Sequence, residues 1–92
     1  MRQVWKYLVA DPKISPMMPL GSRFLHFANQ KGDLVFWAEV DNNAADAEIR
    51  HFAVYNTGQD LDPGYVYRGT TSVGPIVWHL YEYAPEEEVS YS

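Results

Sequence analysis

The chain has 92 residues, a formal net charge of −5 and 47% hydrophobic residues, which describes one small domain with no room for a second core. Its seven Lys and Arg residues are scattered singly, so general nucleic-acid binding, which needs clustered cations against phosphates, is not expected. Cysteine is absent, which excludes disulfides, thiolate nucleophiles and Cys-ligated zinc.

The first predicted strand runs from Val4 to Val9, which mixes β-branched and aromatic residues, and it ends at the turn residues Asp11-Pro12. Residues 11–22 hold three prolines and a glycine, and this spacing forbids a regular helix. We expect an ordered loop there, whose apolar side chains pack back onto the sheet. These side chains are Ile14, Met17, Met18 and Leu20.

Further strands are predicted at residues 23–29, 34–41, 48–56, 65–72 and 76–83, separated by turns rich in Asn, Gly and Pro. The strand at 34–41 is apolar on both faces until Glu39, which indicates a central position with cover on either side. The pattern therefore predicts an all-β, antiparallel single domain over residues 1–83, with about six strands in a sandwich or a half-open barrel. Residues 84–92, which include Glu86, Glu87 and Glu88, are predicted to form a flexible acidic tail that folding does not need.

Several segments, in this order and over about residues 3–83, resemble a family of short bacteriophage and prophage proteins of unknown function. The most specific of them is the Trp78-His79 pair, which follows a Gly-Pro turn; Leu8 stands where the family has a proline. The resemblance implies a phage-encoded accessory protein of all-β fold and implies no reaction. By analogy, it suggests antagonism of a host defence system. The matching segments are residues 4–7, 34–41, 57–58, 67–70 and 77–82.

A polar, glycine-containing group of residues is the most suggestive candidate site. Hydroxyls, exposed glycine N–H groups and one Arg are what an anionic small ligand needs, and the nearby rings of Tyr65 and Tyr67 offer stacking surfaces for a base. The same residue types also occur in ordinary turns of β proteins, and that alternative stays open. The predicted ligand-binding or partner-binding residues are Thr57, Gly58, Arg68, Thr70, Thr71 and Trp78.

Motifs for catalysis or metal binding are missing from the sequence. His26, His51 and His79 lie far apart, and nothing in their spacing indicates a shared metal ion. There is no Gly-x-Ser-x-Gly elbow, and the carboxylate pair of Glu39 and Asp41, at a predicted strand end, is typical of a charged strand edge. We therefore predict a protein that is not an enzyme and that holds no cofactor and no metal.

Binding remains as the predicted activity, with a host protein or a small anionic ligand as the partner. The leading hypothesis is a phage-encoded protein that counters host defence by blocking a host protein. The alternatives are a sponge for an anionic nucleotide signal and a minor structural component of the virion. No signal peptide and no apolar run of membrane-spanning length is visible, so we expect a cytoplasmic protein without membrane contact.

Aromatic residues make up 15% of the chain, which is more ring surface than a core of this size easily hides. Together with an open sheet edge, this composition predicts a homodimer formed by strand pairing or by face packing.

Overall fold

The computed structural model describes residues 1–87 and confirms the all-β prediction, since this part of the chain contains strands and a single turn of 3-10 helix at Pro85–Glu87. Every strand pairing is antiparallel. Residues 1–87 include no helix that is long and apolar enough to cross a membrane. The strands are Arg2–Leu8 (β1), Lys13–Ile14 (β2), Met17–Pro19 (β3), Arg23–Gln30 (β4), Asp33–Asp41 (β5), Ala47–Ile49 (β6), Phe52–Asn56 (β7), Tyr65–Val73 (β8) and Ile76–Tyr83 (β9).

These strands form three sheets that do not close into a barrel. Sheet A has the order β1-β5-β4, sheet B the order β2-β7-β9-β8, and sheet C consists of β3 and β6. Sheets A and B face each other across one apolar core, and they meet where β4 lies against β8. There, the side-chain amide of Asn29 donates to the Ser72 carbonyl at 3.1 Å.

Phe36 of β5 lies at the centre of the core and has no exposed surface. Its ring centroid lies 4.5 Å from that of Phe52 in sheet B and 5.0 Å from that of Tyr7 on the neighbouring strand. On the opposite face of β5, Val35 is also buried. The central position that was predicted for this strand is therefore confirmed: β5 pairs with β1 on one side and β4 on the other.

The structure has more strands than the sequence predicts, for two reasons. The predicted strand at 48–56 is divided at Arg50-His51, because the chain passes there from sheet C into sheet B. The predicted loop at 11–22 contains β2 and β3, because a proline without an N–H still offers its carbonyl: Pro12 accepts from the Val54 amide and Pro16 from the Arg50 amide.

Two of the four apolar side chains of this segment pack back as expected. Met18 is fully buried and Ile14 packs, half-buried, against the core. Met17 and Leu20 are exposed instead. Alternation along the short strand β3 accounts for Met17, since neighbouring residues of a strand point to opposite faces.

Residues 84–87, which the sequence assigns to the flexible tail, contact the body of the domain. Ala84 is buried and its amide donates to the Gly64 carbonyl at 2.9 Å. Glu87 accepts a hydrogen bond from Arg68 at 2.8 Å. The rest of the predicted tail, residues 88–92, lies outside the described residues.

The Tyr7 hydroxyl is buried and has no hydrogen-bond partner among residues 1–87, and burial raises the pKa of Tyr7. An unsatisfied buried hydroxyl costs about 1–3 kcal/mol. We therefore expect Tyr7→Phe to raise the free energy of unfolding by about 1 kcal/mol in urea denaturation. Tyr55→Phe is the matched control and should lower it, because Tyr55 loses a hydrogen bond to Asp62. A loss of stability in Tyr7→Phe would contradict the assignment.

Candidate binding surface

A continuous group of tyrosine rings lies on the outer face of sheet B. The ladder between β8 and β9 places Tyr65 opposite Tyr83 and Tyr67 opposite Tyr81, with all four side chains on the same face. The ring centroids of the first pair lie 5.4 Å apart and those of the second pair 5.6 Å. We call these four residues the tyrosine face.

Two rings of the tyrosine face are well exposed, with Tyr67 at 53% and Tyr83 at 47%. Tyr65 and Tyr81 are half-buried, and both contact the buried ring of Tyr55 edge-on, at 6.4 Å and 5.5 Å between centroids. Rings that neighbouring rings already hold in place lose little conformational freedom when a partner binds.

A chain of hydrogen bonds fixes one end of this surface. His79 Nε2 bonds to the Thr57 hydroxyl and His79 Nδ1 to the Thr70 hydroxyl, both at 2.9 Å. The Thr70 hydroxyl also bonds to the Tyr67 hydroxyl at 2.7 Å. Within residues 1–87 no carboxylate contacts the imidazole, so the group lacks the acid that orients the histidine of a catalytic triad. The network holds the Tyr67 ring in position.

The loop between β7 and β8 lies beside the tyrosine face and contacts the buried Tyr55 through Asp62. Tyr55 donates its hydroxyl hydrogen to Asp62 at 2.7 Å, and the Lys13 ammonium lies 3.1 Å from the same carboxylate oxygen. Burial and the hydrogen bond to Asp62 raise the pKa of Tyr55 to about 12. The Tyr55 hydroxyl and Lys13 lower the pKa of Asp62.

This raised pKa predicts the alkaline behaviour of the domain. A folded-state pKa above the unfolded value of 10.0 means that protonated Tyr55 stabilises the fold fully below about pH 10. This contribution is lost as the pH rises towards about 12. We expect the phenolate absorbance of the native protein, minus that of Tyr55→Phe, to show one tyrosine titrating near pH 12. A difference titration near pH 10 would contradict the contact with Asp62.

A second cluster, of buried ions, lies between the sheets at one end of the core. Glu82 is 4% exposed and accepts from Arg50 Nε at 2.5 Å, from Arg50 Nη2 at 2.9 Å and from Arg68 Nε at 2.9 Å. Arg50 Nη1 donates to the Ser22 carbonyl, and Arg68 Nη2 donates to Glu87. One buried carboxylate thus binds two arginines.

A hollow of about 380 Å³ opens beside this cluster. Three arginines and the Phe24 ring line it, together with Ser22 and Glu87. The lining arginines are Arg23, Arg50 and Arg68.

Residues 1–90 match a domain of unknown function, DUF7352. The chain belongs to the DUF7352 family. No curated protein and no solved structure matches it. The prediction of a family of unknown function is therefore confirmed, and the phage origin stays a prediction.

The predicted site residues lie in three places of this DUF7352 domain. Thr57, Gly58 and Thr70 lie on the outer side of sheet B, beside the tyrosine face. Thr71 and Trp78 are cross-strand partners on the opposite side, where Trp78 packs against the core.

Arg68 belongs to the buried ion cluster. It is the extra residue of a bulge in β8 between Tyr67 and Gly69, which points it inwards. The six predicted residues therefore do not form one site, although Thr57 and Thr70 are joined through His79.

Sequence reasoning missed His79, Tyr81 and Tyr83 as surface residues of this DUF7352 domain. The available signal was their spacing of two residues along β9, which places all three side chains on one face of the strand. His26 stacks on Trp37 in sheet A, and His51 bonds to Ser15, so the three histidines of the chain are separate. Within the described part of the chain, no group of three or more His, Asp or Glu side chains is arranged to hold a metal ion.

Proposed function

We propose that this domain is a non-enzymatic binding protein that docks its tyrosine face onto another protein and blocks it. The exposed rings of Tyr67 and Tyr83, held on a layer of half-buried and buried tyrosines, are the observation on which the proposal rests. Tyrosine is enriched at protein interfaces because its ring supplies apolar contact while its hydroxyl still bonds to water or to the partner. The net charge of −5 favours a partner with a basic rim.

The resemblance to phage accessory proteins supports a proposal for where this binding protein acts and against what. We infer that the domain is encoded by a phage, acts in the cytoplasm of the host cell, and blocks a protein of a host defence system. A blocking protein needs a large complementary surface and no reactive group, and a rigid aromatic face meets that need.

The test compares two double variants in bacterial strains that each carry one known anti-phage defence system. Tyr67→Ala/Tyr83→Ala removes both exposed rings; Met17→Ala/Leu20→Ala removes two exposed apolar side chains from the β3 region and is the matched control. Expression of the wild-type chain and of the control should raise the plating efficiency of a phage that the defence normally stops. The tyrosine variant should lose this effect at least tenfold, because two aromatic contacts at an interface typically exceed 1.4 kcal/mol together. Equal protection by both variants would overturn the proposal.

The hollow beside the ion cluster favours a second candidate function, the sequestration of an anionic nucleotide. Arg23, Arg50 and Arg68 surround it, and the Phe24 ring offers a stacking surface. Because Arg50 and Arg68 are already neutralised by Glu82 and Glu87, Arg23 supplies the remaining positive charge. A bound phosphate would take the position of the Glu87 carboxylate on Arg68.

Substitutions at the rim of the hollow test this candidate and leave the buried Glu82 carboxylate in place. Glu87→Gln should tighten the binding of a cyclic dinucleotide in calorimetry, because it removes a competing carboxylate from Arg68. Arg23→Ala, at an exposed position, should weaken that binding about tenfold. Absence of any heat with the wild-type protein, or no change in either variant, would overturn the candidate.

A further inference from the structure

Strand β1 forms a long open edge of sheet A. It pairs with β5 on one side, over the seven residues Arg2–Leu8, without a bulge. No strand of residues 1–87 pairs with its other side. The edge strand β2 has only two residues, and the two other long edge strands, β4 and β8, lie against each other, so β1 offers the longest open template for a further strand.

The hydrogen bonds at both ends of β1 identify its unpaired backbone groups. The Asn42 amide donates to the Met1 carbonyl at 3.0 Å, and the Val9 amide donates to the Leu34 carbonyl at 2.9 Å. In an antiparallel ladder, alternate residues direct both N–H and C=O to the same neighbour. Odd-numbered residues of β1 therefore bond to β5, and residues 2, 4, 6 and 8 direct their N–H and C=O groups away from the sheet.

The positively charged side chains of β1 do not protect this edge against pairing with another strand. Natural edge strands are often protected by lysines that project outwards. Here, Arg2 reaches back to Glu39 of β5 at 2.5 Å, and Lys6 reaches over β5 to Gln30 of β4 at 2.8 Å. Apolar side chains remain exposed along the strand, with Val4 at 60% and Leu8 at 57%.

We propose that β1 pairs with β1 of a second copy of this chain, antiparallel and centred on Trp5. Only residues 2, 4, 6 and 8 have backbone groups available, and three two-fold registers pair at least three of these four residues. One places Arg2 opposite Lys6 of the second copy, and another places Lys6 opposite itself; both put like charges together.

The third register places Arg2 opposite Leu8 and Val4 opposite Lys6, so no like charges meet, and it pairs every residue of Arg2–Leu8. Trp5, which is partly exposed, faces its symmetry mate at a position without hydrogen bonds, where side chains of opposite strands approach most closely. Such cross-strand aromatic pairs stabilise sheets. The two copies then share a six-stranded sheet in the order β4-β5-β1-β1-β5-β4.

This dimer is independent of the proposed binding function, because the tyrosine face lies on the outer side of sheet B and stays accessible in both copies. A dimer would therefore present two tyrosine faces to its partners.

The variant Val4→Pro tests whether the β1 edge forms the dimer. The Val4 amide points away from β5, so Val4→Pro removes a hydrogen bond to the second copy while it leaves the ladder within the chain intact. Sedimentation velocity at 100 micromolar should give twice 10.6 kDa for the wild type and 10.6 kDa for Val4→Pro, with a far-UV circular dichroism spectrum that still shows the folded β domain. A monomeric wild-type protein, or a folded Val4→Pro dimer, would overturn the proposal.

A pair of charge variants tests the register and does not depend on proline. Val4→Glu places a carboxylate opposite Lys6 of the second copy, and Val4→Lys places a like charge there. Two cross-strand pairs form per dimer, so the dissociation constant should fall about 2- to 30-fold in Val4→Glu and rise by a similar factor in Val4→Lys. The test compares dissociation constants and not melting temperatures. Residue 4 also lies opposite Glu39 of β5, so either charge changes the stability of the single chain as well. The opposite order of affinities would overturn the register.

Discussion

Glu82→Ala should lower the free energy of unfolding by about 3–5 kcal/mol, because it leaves two mostly buried guanidinium groups without their shared carboxylate. Arg50 would lose two of its three side-chain hydrogen bonds, and Arg68 would keep only its hydrogen bond to Glu87 at the surface. A charge that is removed from water and not paired costs far more than a hydrogen bond. For a domain of this size, the loss is a large part of the total stability.

Glu87→Ala is the matched control for this prediction. It removes the other carboxylate that contacts Arg68, but that carboxylate is half-exposed, so a loss of about 1 kcal/mol or less is expected. Both variants are measured by urea denaturation at neutral pH. Similar losses in the two variants would show that Glu82 is not the centre of the cluster.

Phe36→Ala should also lower the free energy of unfolding by about 3–5 kcal/mol. Its ring touches Tyr7 and Phe24 in its own sheet and Phe52 in sheet B, so its removal leaves a cavity between the two sheets. Regular strands on both sides resist collapse into that cavity.

Leu20→Ala provides the comparison, because Leu20 is an exposed side chain of similar apolar character. Its substitution should change the free energy of unfolding by about 0.5 kcal/mol or less. If Phe36→Ala lost less than about 2 kcal/mol, the two sheets would not share a core around this ring.

Much of the fold was predictable from local signals. Apolar alternation and turn residues identified the strands at 23–29, 34–41, 65–72 and 76–83, and these correspond to β4, β5, β8 and β9. The division at Arg50-His51 was not predictable, because it depends on which sheet each half of the segment joins. The strands β2 and β3 were missed for the same reason: the residues with which they pair, in Phe52–Asn56 and Ala47–Ile49, come 28 to 40 residues later.

The candidate site was predictable only where residue type or the alternation of side chains along a strand places its residues. Thr57 and Thr70 were found from residue type, and the period of β9 places His79 beside them. The inward direction of Arg68 was not predictable, since it depends on a bulge in β8. An arginine between a tyrosine and a glycine looks the same in sequence whether it faces solvent or a buried Glu82.

The dissociation constant of the complex with the proposed protein partner tests the central claim most directly. The partner is first isolated with the wild-type chain, and its affinity is then measured by calorimetry for Tyr67→Ala/Tyr83→Ala and for the control Met17→Ala/Leu20→Ala. We predict that the tyrosine variant binds at least tenfold more weakly while the control binds as the wild type does, with both variants folded. Unchanged affinity in the tyrosine variant would contradict the account, because the partner would then bind elsewhere on the domain.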